Sequence, residues 1–264
     1  MKYLIFLSFV LFLTGCGASY EDGLKLKKEG DFKGALEIFE KEAADGHLLS
    51  TLELIEWYQK SEPQKAFIWR QEAAKLGDAA NQAYVGWAHD GGGSIPDSAK
   101  RPELAYEYYE KSASQGNASG EFYLGYAYAR GYGVDKNEAK AVEGYSKAAK
   151  QGELNALHFL GSAYYDGRLG LEVKHKTAVG YLCRASKAGN SESAPLLRKM
   201  WVNEILIPAY NEALKHAEAP QGVKGLYAYN GQKDDLYREA RNKLTKVNQA
   251  KQSSDSQVVN KICN

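Results

Sequence analysis

The chain has 264 residues, with 34 Lys+Arg against 33 Asp+Glu, five His and three Cys. That balance argues against bulk nucleic-acid binding, which needs a clustered basic surface, and 25% charged residues with only six Pro argue against wholesale disorder. The length allows one extended domain or two ordinary ones, and the 19 Tyr must find a place in it.

The chain opens MKYLIFLSFVLFLTGC, with Lys2 ahead of an apolar run from Tyr3 to Thr14. A helix of that length rises about 18 Å, short of the ~30 Å hydrocarbon core, so the run reads as a signal peptide and not as a span. Leu13-Thr14-Gly15-Cys16 resembles the lipobox of bacterial lipoproteins. The resemblance implies cleavage before Cys16 and lipidation of its thiol, whose acyl chains (palmitate among them) would hold the chain on a membrane. An ordinary secretory signal with a chance Cys is the alternative. Gly17 stands where an Asp would imply retention at the inner membrane. The expected location is therefore the outer membrane, facing the periplasm. Residues 1–15 are then the signal peptide, and 16–30 the lipidated N-terminus and a linker.

Five segments that follow end alike. Their terminal glycines are Gly46, Gly77, Gly116, Gly152 and Gly189, separated by 31, 39, 36 and 37 residues. An Ala precedes each by eleven: Ala35, Ala66, Ala105, Ala141 and Ala178. Bulky apolar side chains stand seven or eight before, and Ala three or four before. These offsets trace one helix face, which the glycine ends in a left-handed turn. Asp78, Asn117, Glu153 and Asn190 follow directly, three of them good N-cap types for the next helix. Val85-Gly86, Leu124-Gly125 and Leu160-Gly161 recur eight and nine past the glycine, and Tyr58, His89, Tyr128 and Tyr164 twelve past. Each unit reads as a helix, a loop and a second helix. One such pair cannot bury its own apolar face, whereas stacked pairs can.

The clearest unit, residues 117–152, carries Leu124-Gly125, Tyr128, the GYGV loop at 131–134, Asn137, Ala141, Ala148-Ala149 and Gly152. It resembles the Sel1-like repeat, a relative of the tetratricopeptide repeat, and the resemblance spans roughly 31–190. Neighbouring units depart in their loops: GGGSIPDSAKRP at 91–102, GRLG with a longer basic turn in the fourth, and no loop glycine in the first. The implied fold is all-α, a right-handed α-solenoid of Sel1-like helix pairs. Residues 191–264 follow as a helical C-terminal cap, with a helix over 195–217 kinked near Pro208, a further polar helix over 233–251, and a polar tail.

With Cys16 lipidated, Cys183 and Cys263 remain, as a disulfide or as two separate thiols. The chain has no HExxH, CxxC or GxSxG, and no two His at i, i+4, so no catalytic residue, metal or cofactor is expected. Partner-binding candidates are aromatic and basic residues beside the core offsets of the first helix: Trp87, Tyr126, Phe122 and Tyr123, with Arg130 and His158. Phe122 and Tyr123 are open between this role and packing on the preceding helix. Solenoids offer extended surfaces, so the expected function is binding of another protein. Resemblance to Sel1-like lipoproteins implies a docking scaffold for an envelope or secretion assembly. An alternative is an immunity protein that inhibits a secreted antibacterial effector such as a phospholipase. A remote third reading is a cell-wall glycan enzyme using Asp/Glu pairs.

Overall fold

The computed structural model describes residues 18–92, 100–201, 242, 245 and 254–263, and contains no strand among them. The chain divides into two units at Arg101/Pro102. The first holds α1 (Tyr20–Glu29), α2 (Phe32–Ala44), α3 (Leu48–Tyr58), α4 (Pro63–Lys75) and α5 (Ala79–His89). The second holds α6 (Pro102–Ser114), α7 (Ala118–Arg130), α8 (Glu138–Lys150), α9 (Leu154–Asp166), α10 (His175–Lys187), α11 (Ser193–Met200) and α12 (Asp255–Ile262). Within each unit every helix packs on the next, and α12 lies against α10 and α11. This all-α solenoid order follows from the repeats, because a face buried only by its neighbours needs no distant contact.

Small residues set the helix spacing. Ala35, Ala66, Ala105, Ala141 and Ala178 are all buried, as are Ala73, Ala113, Ala148 and Ala185 near the helix ends. Between them Phe39, Tyr109, Tyr145 and Leu182 fill the core seven residues before each glycine. The corresponding position in α4 is Arg70. Its guanidinium lies 4.2 Å from the Tyr84 ring centroid and donates to Asn81 Oδ1 at 3.0 Å. Elsewhere the same pair of offsets gives aromatic stacks, Tyr109 on Tyr123 and Tyr145 on Phe159. Arg70 thus replaces a ring with a planar cation that can still stack.

The five terminal glycines have φ between +74° and +102°, and the residue after each donates back to a carbonyl five positions earlier, as in Asp78 N to Ala73 O at 3.0 Å. Asp78, Asn117 and Glu153 cap α5, α7 and α9, and Asn190 holds the turn that leads into α11. Their side-chain oxygens accept from the N–H groups of Asn81, Gly120, Ala156 and Ser193.

One further bond recurs. The carbonyl at each helix's Tyr or His position accepts an N–H from the far end of its loop: Tyr58 from Glu62, His89 from Arg101, Tyr128 from Asn137, and Tyr164 from Lys174. These loops span four to twelve residues but close on the same atom. That shared closure explains why the GRLG departure leaves α10 packed on α9.

Two expectations change. The stretch assigned to a linker contains α1, because Ser19 and Asp22 form a capping box and Tyr20, Leu24 and Leu26 pack on the α2–α3 core. The polar tail contains α12: Ser254 and Gln257 cap it, Val259 is buried, and Ile262 packs beside α10 and α11. Cys263 is bonded to Cys183, with Cα atoms 5.5 Å apart, and Lys187 Nζ donates to the Cys263 carbonyl at 2.8 Å. The proposed leader, Cys16 and most of the cap beyond Trp201 lie outside the described residues. Among the described residues no helix is long and apolar enough to cross a membrane.

Candidate functional site, a cleft beside Tyr126 and Arg130

The six partner-binding candidates are divided between the two units. Trp87 belongs to the first unit and the other five to the second. Its ring meets Tyr84 edge-on at 5.4 Å, and the Gly92 backbone lies so close that a Cβ there would fall 2.0 Å from the indole. The loop therefore covers part of the indole. Phe122 is 6% exposed and packs among Tyr123, Tyr145 and Phe159, so it is core. Tyr123 stacks on Tyr109 at 5.1 Å, as the packing alternative had it. Tyr123 therefore faces the preceding helix α6, whereas Phe122 is covered by α8 and α9.

His158 faces α11. Its Nδ1 lies 3.0 Å from Ser193 Oγ and its Nε2 3.4 Å from Glu192 Oε2. Ser193 is itself held by the Asn190 cap, so His158 fixes the start of α11. Burial pushes the imidazole below its ordinary 6.5, Glu192 opposes this, and Arg168 adds to it. The folded chain thus prefers the neutral ring, while the unfolded chain takes a proton near pH 6.5. The resulting stability is complete above that pH and is lost as pH falls through the lower folded pKa. Thermal unfolding midpoints measured from pH 7.5 to 5 should therefore fall more steeply in the wild type than in His158→Asn. Parallel curves would rule this out.

Tyr126 and Arg130 remain, one turn apart on α7. The Arg130 guanidinium lies 5.0 Å from the Tyr126 ring centroid and has no carboxylate or hydrogen-bond partner among the described residues. Together they form one wall of a cleft of about 170 Å³. Tyr145 of α8 lines it, Phe159 and Ala163 of α9 stand on the far side, and Arg168 and Leu169 come from the loop after α9.

Backbone approach makes this possible. Gly125 and Gly144 meet where α7 crosses α8, so close that a Cβ on Gly144 would lie 2.8 Å from Glu121 O and 2.9 Å from Gly125 Cα. Tyr145, next in sequence, is drawn under α7. Its residue is 1% exposed and its hydroxyl has no hydrogen-bond partner among the described residues. Burial pushes the phenol pKa up, Tyr126 adds to this, and Arg130 and Arg168 pull against it. It stays a protonated donor at neutral pH.

Arg168 Nε is 3.2 Å from Asp166 Oδ2, and the same guanidinium donates to Ser162 Oγ. The next residue, Leu169, has φ +58°, and no other non-glycine has a positive φ among the described residues. With Gly170 at +69° and Leu171 N donating to Arg168 O, the loop is a turn with two left-handed central residues. Leu is a costly choice there, where Asn or Gly would be unstrained. Its side chain packs on the Phe122–Tyr145 core and lines the cleft.

Sequence reasoning missed Tyr145, Phe159, Arg168 and Leu169 as site residues. Tyr145 fell at a core offset, which is correct for its ring and silent about its hydroxyl. The GRLG departure was the signal for Arg168 and Leu169. Among the described residues no group of three or more His, Cys, Asp or Glu could hold a metal ion.

Four segments, 57–78, 82–117, 118–153 and 154–190, match the Sel1 repeat. A crystal structure of a Sel1 repeat protein from Oxalobacter formigenes superposes with a TM-score of 0.57 at 22% identity, covering 85% of this chain and 99% of that one. A protective antigen of uropathogenic Escherichia coli strains, described as displaying an SLR fold, superposes with a TM-score of 0.56 at 23% identity, covering 84% of this chain and 53% of that one. At such identities the likeness is one of fold. No curated protein matches the sequence.

Proposed function

The chain is a Sel1 repeat protein, and we propose that it is a lipid-anchored, periplasm-facing scaffold that docks a partner protein at the cleft beside Tyr126 and Arg130. Sel1 repeats are generally protein–protein interaction scaffolds and typically non-catalytic. The observation that carries the site is the Arg130 guanidinium, stacked on an aromatic ring at a cleft mouth and left without a partner of its own. Tyr and Arg in such settings dominate binding energies at protein interfaces. The anchoring reading rests on Lys2, the apolar run and Leu13-Thr14-Gly15-Cys16.

The site is tested by Tyr126→Ala with Arg130→Ala. Neither side chain is buried core, so circular dichroism and the melting point should be nearly unchanged. Retention of the native envelope partner should fall about 30-fold or more, as loss of ~2 kcal/mol or more at a hot spot implies. Unchanged retention would remove the site. The anchor is tested by Cys16→Ser, which should abolish palmitate labelling and release the chain from the membrane fraction. A variant that stays membrane-bound and labelled would contradict it.

A further inference from the structure

The cleft's chemistry specifies more than a docking place. Its polar atoms are mainly donors: the Tyr145 hydroxyl, unpartnered on a 1%-exposed residue; the free Arg130 guanidinium; and Arg168, whose one carboxylate partner is the half-exposed Asp166. Its remaining walls are apolar: Ala129, Ala163, Phe159 and Leu169. Two guanidiniums disfavour a cation. A neutral guest without an acceptor would leave Arg130 and the Tyr145 hydroxyl unpaired as it covered them, which costs more than the contact returns. A cleft of about 170 Å³ has room for a side chain.

We infer that the cleft receives one glutamate side chain of the partner protein, its carboxylate bound by Arg130, Arg168 and the Tyr145 hydroxyl and its methylenes lying between Phe159 and Leu169. A planar carboxylate matches the guanidinium fork. The strained Leu169 then has a purpose, since it completes the apolar wall beside Arg168. Tyr145 is the specificity element. Its ring is required by the core whatever the function, but the core makes no use of its hydroxyl.

The inference rests on the docking reading, so the test separates the two. Random twelve-residue peptides with amidated C-termini are selected by display on the full chain. Binders lost in Tyr126→Ala are retained and measured by calorimetry. The retained peptides should share a glutamate whose change to glutamine weakens binding about tenfold to a hundredfold, the range for a hydrogen bond to a charged group. Tyr145→Phe, which keeps the ring and the fold, should weaken the Glu peptide at least about threefold and leave the Gln peptide unchanged. Arg130→Gln should act in the same direction.

Tyr126-dependent peptides without acid dependence would overturn the glutamate and leave the docking site standing. Absence of any Tyr126-dependent peptide would overturn both. Two other occupants would also overturn it. One is a peptide C-terminus, shown by Tyr145-dependent binding that appears only when amidation is omitted. The other is a lipid headgroup, shown by Tyr145-dependent capture of phosphatidylglycerol vesicles.

Discussion

Cleaving the Cys183–Cys263 bond should lower the stability of the second unit by up to about 4.5 kcal/mol, the chain entropy released when a loop of 80 residues is opened. The bond fixes α12 on α10, beside its packing on α11. α12 has eight residues, too few to persist as an isolated helix, and it buries Val259 with Ile262 half-buried beside it. Without the bond, α12 should detach and expose the α10–α11 surface around Leu182, Leu197 and Met200. Thermal unfolding of the Cys183→Ser, Cys263→Ser variant should show a midpoint lower by roughly 10–15 °C for a unit of this size. Dithiothreitol should do the same to the wild type and nothing further to the variant. An unchanged midpoint would mean that α12 is held by packing alone.

Gly144→Val should destabilise the second unit strongly, by about 3 kcal/mol. The added Cβ would meet Glu121 O and Gly125 Cα, which are main-chain atoms and cannot rotate away. α7 and α8 would have to separate, and Tyr145, Phe122 and Phe159 would lose their contacts with them. Gly180→Ala is the matched control. Gly180 is also inside a helix, but it is exposed and an added Cβ meets nothing within 4 Å. It should gain roughly 0.5–1 kcal/mol from propensity alone. Urea denaturation of both variants separates the effects. Similar destabilisation by the two would show that helix approach is not what Gly144 provides.

The repeat was legible because its parts are local. A terminal glycine, an Ala eleven before and a cap one after each fix a helix end with atoms a few residues apart. Ala141, Gly152 and Glu153 needed no distant information to be read correctly. The site was only half legible. Tyr126 and Arg130 share a helix, and their spacing alone puts them one turn apart. Whether a ring at a neighbouring offset is open or covered depends on the next helix, which is why the offsets alone left Phe122 and Tyr123 open between partner binding and packing. His158 was drawn to α11 by Ser193, 35 residues away. The Tyr145 hydroxyl is the hardest case. The repeat asks only for a large core side chain at that position (Phe39, Tyr109 and Leu182 in other units), and the pattern cannot distinguish Tyr from Phe.

The reading of this chain as a docking scaffold turns on whether the α7–α9 cleft touches another protein in the intact envelope. Photocrosslinking from position 126 asks that directly, with p-benzoylphenylalanine in place of Tyr126 and, as a control, in place of the exposed Lys150 on α8. Irradiated cells should yield one discrete covalent adduct with a single protein from position 126 and none from position 150. No adduct from 126, or the same adducts from both positions, would contradict the account.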